Sequence, residues 1–148
     1  MARIRLTKSF NFEGSHALLN YDGKCRNIHG HSYKLDVTVI GTPFNEKGHP
    51  KDGLLIDFGD LKEIVNQQIV DQFDHSLIIQ KEYPATLFEA LENSFERLIY
   101  VDYQPTCENL IVDFADKLVN TLPEGVELHH LVLHETATAY CEWFASDQ

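Results

Sequence analysis

The densest group of chemically capable side chains is Cys25-Arg26-Asn27-Ile28-His29-Gly30-His31. His29 and His31 stand two apart at the mouth of an alternating segment, so in a strand their imidazoles leave the same face. His16 lies just past an earlier alternating segment, and antiparallel pairing of the two segments would return it to their side. Three neutral imidazoles suit a d¹⁰ zinc ion and leave its fourth position open, as in catalytic rather than structural sites. Spacing alone leaves another reading open, that of an ordinary surface His-x-His in a chain with eight histidines. Gly30 tilts the balance towards a metal, because it lets the backbone turn tightly between two ligands.

Four further residues have suitable chemistry. Cys25 precedes His29 by four positions and stands between Lys24 and Arg26. A thiol near a dication and two cationic neighbours is poised to act as a base or nucleophile. Without the histidines it would read as a small loop residue. Asp74-His75 can place a carboxylate on an imidazole nitrogen, fixing the tautomer of an acid/base group, although such dipeptides are commonly just solvated. Glu135, at an expected turn, can accept two hydrogen bonds from a guanidine-like ring edge, or simply face water. Cys107 and Cys141 read as packing residues, and His49, His129 and His130 have no spacing that recruits them.

The composition narrows the field of function. The chain has 148 residues, 43% hydrophobic and 24% charged, which fits one globular domain over residues 1–148. A net charge of -11 argues against a nucleic-acid partner and against anionic membranes. Three cysteines without a C-x-x-C pair exclude a disulfide framework and a four-thiolate zinc site. The opening Met-Ala-Arg-Ile-Arg-Leu lacks the apolar core of a signal peptide, and no apolar run approaches a membrane span. The expected location is the cytoplasm, where thiols stay reduced.

The elements that must position these residues follow from periodicity. Ile4, Leu6, Phe10 and Phe12 alternate as in a half-buried strand, as do Tyr33, Leu35, Val37 and Val39. Residues 41–53 read as a loop. A helix is expected from Asp57–Asp60 onward, with Asp60 and Glu63 as a capping box and Leu61, Ile64, Val65 and Ile69 as its apolar stripe. A second helical pattern runs through Leu87, Leu91, Phe95 and Leu98. A third, with Thr106 as N-cap, buries Leu110, Ile111, Phe114, Leu118 and Leu122 and ends at Pro123-Glu124-Gly125. Two short strands follow, near 128–134 and 138–144. The expected class is α+β: a four-stranded antiparallel sheet with helices on one face, its bare edges favouring self-association.

Ser15-His16, Cys25-x-x-x-His29-Gly30-His31, Gly53-Leu54-Leu55-Ile56-Asp57-Phe58, Asp74-His75-x-Leu77, Pro105-Thr106-x-Glu108-Asn109-Leu110 and His134-Glu135-Thr136 occur in this order. The ordered set resembles the 6-pyruvoyltetrahydropterin synthase / 6-carboxytetrahydropterin synthase family from the first strand to the last. The resemblance implies a T-fold whose trimers close a barrel and stack as hexamers. It implies zinc on His16, His29 and His31, with Cys25 and His75 as acid/base groups and Asp74 orienting His75. Glu135 would anchor the pterin ring, with Thr106 and Glu108 near the same pocket.

Three residues between the cysteine and His-Gly-His are similar to the carboxytetrahydropterin branch of queuosine (7-deazaguanine) biosynthesis. The implied reaction is zinc-dependent conversion of 7,8-dihydroneopterin triphosphate to 6-carboxytetrahydropterin, acetaldehyde and triphosphate. Lys24, Arg26 and Lys34 are candidates for meeting the phosphates. The other readings are a pyruvoyl-forming synthase, a non-catalytic zinc-binding assembly protein, and an aldolase or cyclohydrolase relative of the same fold. Retention of Cys25, Asp74, His75 and Glu135 speaks against the non-catalytic reading, and the three histidines against the last. The chain departs from the family pattern in a longer stretch from Leu77 to Pro105 and in Ile78, where Asn is common.

Overall fold

The structure, a computed structural model, describes residues 1–148. Strands β1 (Ile4–His16) and β2 (His29–Gly41) form a long antiparallel hairpin, and its loop carries a 3₁₀ turn at Lys24–Arg26. Helix α1 (Phe58–Val65) continues through a wide turn at Asn66–Val70 into the short α2 (Asp71–Phe73). Then come β3 (Ser76–Gln80), α3 (Ala85–Glu92), β4 (Leu98–Val101), α4 (Cys107–Val119), β5 (Val126–His134) and β6 (Tyr140–Phe144).

The sheet has six strands in the order β4-β3-β1-β2-β5-β6. This corrects the expected four. The four expected strands are present and pair antiparallel, whereas β3 and β4 add parallel to β1 and to each other. Both hide from a period-two search. Ile78 and Ile79 are consecutive and both buried, so β3 shows no alternation. In β4, Leu98 falls in phase with Leu87 and Leu91, which extends the helical pattern on paper. The helix stops at Glu92, leaving Phe95 62% exposed, and the β-favouring run Leu-Ile-Tyr-Val enters the sheet instead.

Two helix boundaries also differ from expectation. The cap of α1 is Asp57, whose carboxylate accepts the Gly59 amide at 2.7 Å, and not Asp60. Helix α4 ends at Val119 rather than at Pro123. Thr106 caps α4 as expected, accepting the Asn109 amide at 3.2 Å.

Tyr33, Leu35, Val37 and Val39 point to one face and are fully buried, beside Phe10 and Phe12 of β1. Helices α1 and α4 cover that face with Leu61, Val65, Leu110, Phe114 and Leu118, in one cluster of 23 buried residues. Phe12 stacks on Tyr33 at 4.9 Å and meets Phe114 edge-on at 5.9 Å. In register with these residues, His16 pairs with His29 on the last rung of the hairpin. The helix-covered face therefore ends in imidazoles. No helix is long and apolar enough to cross a membrane.

Candidate metal centre

Alternation along β1 sets Phe10, Phe12, Gly14 and His16 on the helix side, and along β2 it sets His29, His31 and Tyr33 there. The three histidines thus converge, with one ligand nitrogen from each within 4.8 Å of the others. His16 is flanked by β2 and β3 and is only 2% exposed.

Backbone carbonyls fix two tautomers. His16 Nδ1 donates to Pro105 O at 2.6 Å, and His29 Nδ1 donates to Asn27 O at 2.7 Å. A carbonyl can only accept, so in the neutral rings both protons sit on Nδ1 and both Nε2 atoms are bare lone pairs. Those Nε2 atoms face each other at 3.0 Å. Two lone pairs that close require a cation between or beside them. His31 Nε2 is buried and has no hydrogen-bond partner, so it too presents a lone pair suited to an electrophile. Burial pushes His16 and His31 below the ordinary imidazole range, which keeps them neutral and able to ligate. The three histidines fit a metal ion, with carbonyls orienting two of the rings from behind.

Glu135 completes the cluster. Its Oε1 lies 3.7 Å from both His16 Nε2 and His31 Nε2, and its side chain is 29% exposed. It opens the tight turn after β5, where its amide donates to Ala139 O. Thr106 and Glu108 stand in the first turn of α4, directly after the Pro105 carbonyl that holds His16. The Thr106 hydroxyl is occupied by capping, while Glu108 is exposed. Cys25 is half-buried in the 3₁₀ turn, and its carbonyl accepts the Leu18 amide at 3.0 Å, which folds this loop against the end of β1.

The structure places His75 on a cavity that His31 also lines. His75 Nδ1 meets Asp74 Oδ2 at 2.9 Å, as an orienting pair should, and the pair sits at the edge of β1 between α2 and β3. That cavity, of about 860 Å³, is lined as well by Glu13, Gly14, Ser15, Gly30 and Ser32. Glu13, Ser15, Gly30 and Ser32 alternate with the ligand positions, whereas Gly14 and His31 share their side, so the cavity draws on both faces of the hairpin. The Glu13 amide, donating to Asp74, holds its carboxyl below the usual range and keeps it ionised.

Sequence reasoning treated Tyr33 only as a core residue. Its hydroxyl is buried without a partner, its ring is 5.5 Å from that of His31, and burial pushes its phenol far up. The sole signal was its place two residues beyond His31 on the same face. Cys107 and Cys141, read as packing, bring their sulfur atoms to 3.2 Å, a contact that raises Cys107 and lowers Cys141. Nothing in the sequence joined two cysteines 34 positions apart.

A sequence model of the 6-pyruvoyl tetrahydropterin synthase family matches residues 5–145. A Haemophilus influenzae protein named 6-carboxy-5,6,7,8-tetrahydropterin synthase is 33% identical over 142 residues, covering 95% of this chain and 98% of its own. An Aquifex aeolicus protein of the same name is 30% identical, covering 93% and 96%. Among solved structures, an uncharacterized Wolinella succinogenes protein matches at TM-score 0.78 with 19% identity, over 98% of this chain and 99% of that one. The Caenorhabditis elegans 6-pyruvoyl tetrahydropterin synthase matches at 0.70 with 20% identity, over 98% and 97%, a likeness of fold. The match along nearly the whole chain, with an imidazole cluster on the last rungs of the first hairpin, shows that this protein belongs to the 6-pyruvoyl tetrahydropterin synthase family.

Proposed function

We propose that the protein is a zinc-dependent 6-carboxy-5,6,7,8-tetrahydropterin synthase of the queuosine pathway, acting on 7,8-dihydroneopterin triphosphate. The observation that carries the reading is the pair of bare Nε2 atoms of His16 and His29 at 3.0 Å, beside the orphaned His31 Nε2 and the Glu135 carboxylate. Relatives matching nearly the full chain bear the carboxytetrahydropterin name, which supports that product over the pyruvoyl one.

In this reading His16, His29 and His31 hold zinc, which when bound polarises the side-chain hydroxyls of the substrate and acidifies the neighbouring C–H. Glu135 receives two N–H donors from the guanidine-like edge of the pterin and fixes the ring. Thr106 and Glu108 border the ring, and Cys25 as thiolate takes the carbon-bound proton. His75, oriented by Asp74, exchanges a proton on the opposite side of the substrate. Lys24 and Arg26, which flank Cys25, meet the phosphates. The sum is substrate and water to 6-carboxytetrahydropterin, acetaldehyde and triphosphate.

His75 and the His31 imidazole line one cavity that opens at the edge of the hairpin, and a second copy closing on that opening would complete the walls of the site. The assembly that would do so is a hexamer of two trimers. Its supports are the exposed outer edge of β6 and the side of β1 before Gly14, which β3 leaves unpaired.

The deciding experiment incubates zinc-loaded protein with 7,8-dihydroneopterin triphosphate and identifies the products by mass. Carboxytetrahydropterin with acetaldehyde is the expected result. Pyruvoyltetrahydropterin would transfer the chain to the other branch, and unchanged substrate would overturn the synthase reading.

A further inference from the structure

His75 has a backbone φ of 56°, the left-handed region that a residue with a Cβ enters only under constraint. The constraint comes from three sides. The His75 amide donates to Glu13 O at 2.6 Å, and the Glu13 amide returns a bond to Asp74 Oδ1 at 2.9 Å. These tie the turn to β1. The third side is Arg97, in the segment between α3 and β4 that lengthens this chain. Its Nε donates to Asp74 O at 2.8 Å, and its Nη2 donates to Asp71 O at 2.6 Å and reaches Gln72 O at 3.4 Å.

One guanidinium thus spans three carbonyls at the end of α2, the groups that a helix leaves unpaired and where a cation is favoured. The same residue is anchored through its main chain, since its carbonyl accepts the Leu77 amide at 2.9 Å as β3 and β4 begin to pair. Asp74 spends one carboxylate oxygen on Glu13 and the other on His75 Nδ1, so any rotation of the Asp74 peptide swings the imidazole. Arg97 grips that peptide at its oxygen. A planar fork can hold two carbonyls in fixed relation, which an ammonium cannot.

We infer that Arg97 is a positioning residue for His75: it locks the Asp74–His75 turn in its left-handed form and so aims the imidazole into the cavity that both residues line. The inference rests on the reading of His75 as an acid/base group. Arg97 acts through His75, with no contact of its own to the reacting atoms.

The test uses the full-length zinc-loaded protein and 7,8-dihydroneopterin triphosphate, with Arg97→Ala, Arg97→Lys, His75→Ala and the double variant Arg97→Ala/His75→Ala. Arg97→Ala should lower kcat by about 10- to 100-fold, the cost of a misplaced group. Its KM, zinc content and oligomeric size should stay near wild type, and added methylguanidinium should restore part of the rate. Arg97→Lys should also be slowed. The double variant should be no slower than His75→Ala, because a residue that works only through the imidazole has nothing left to do without it. A merely structural arginine would instead add its loss to that of His75→Ala. Normal turnover in His75→Ala would overturn the acid/base reading itself. Loss in His75→Ala with normal turnover in Arg97→Ala would overturn the positioning role alone. Where Arg97→Ala fails to assemble, Arg97→Lys decides: assembled and slow supports the inference, assembled and fully active overturns it.

Discussion

The two imidazoles that face each other at 3.0 Å hold their protons on the far nitrogens, locked there by Pro105 and Asn27 carbonyls. Such a cluster is stabilised when a dication neutralises its lone pairs. His29→Ala and His31→Ala should therefore lose most of a complement of about one zinc per chain, measured by metal analysis after dialysis. Full occupancy in both variants would remove the ligand assignment. Glu135 and Cys25 should separate in kinetics. Zinc-loaded Cys25→Ala should bind the pterin and lose about 10²–10⁴-fold in turnover, the contribution of a positioned acid/base group. Glu135→Ala should chiefly raise KM, because an anchor of the ring serves ground and transition states alike. Near-normal turnover in Cys25→Ala would leave His75 as the only base.

Helix α4 serves the site through its first turn, where Thr106 caps the helix and the preceding Pro105 carbonyl holds His16. Thr106→Ala should cost about 1 kcal/mol of stability, the usual worth of an N-cap. Phe114→Ala, deleting a fully buried ring that touches Phe12 and Phe73, should cost about 3–5 kcal/mol. Urea midpoints at one protein concentration would rank them, and a larger loss at Thr106 would contradict the packing account. The sequence made α4 legible because its cap and its 3.6-residue stripe agree. It made β1, β2, β5 and β6 legible because each alternates or is bounded by turn residues. Strands β3 and β4 escaped because Ile78 and Ile79 are buried on both faces and Leu98 mimics a helical repeat. The histidines could be found by spacing, since a hairpin brings sequence neighbours together. Tyr33, the Cys107–Cys141 contact and Arg97 could not, as each matters only through a partner that tertiary packing supplies.

At the scale of the whole molecule the proposed machinery meets at one end of the first hairpin. The imidazoles and Glu135 lie on the helix-covered face, and His75 lines a cavity that His31 shares with Glu13, Ser15 and Ser32 of the other face. If the site lies between subunits, the Cys25 and His75 that serve one substrate come from different copies of the chain. Cys25→Ala and His75→Ala homo-oligomers should each be nearly inactive. Mixed at equal amounts, dissociated and reassembled, they should regain activity, because a site formed by Cys25 of a His75→Ala chain and His75 of a Cys25→Ala chain is intact. For random closed assembly with one such pair per site, roughly a quarter of the sites are repaired. Activity should therefore return to about that fraction of a wild-type sample treated the same way. Mass measurement on the mixture, with one variant isotopically labelled, would verify that mixed oligomers formed. Mixed oligomers without any regained turnover would show that each chain builds its site from its own Cys25 and His75.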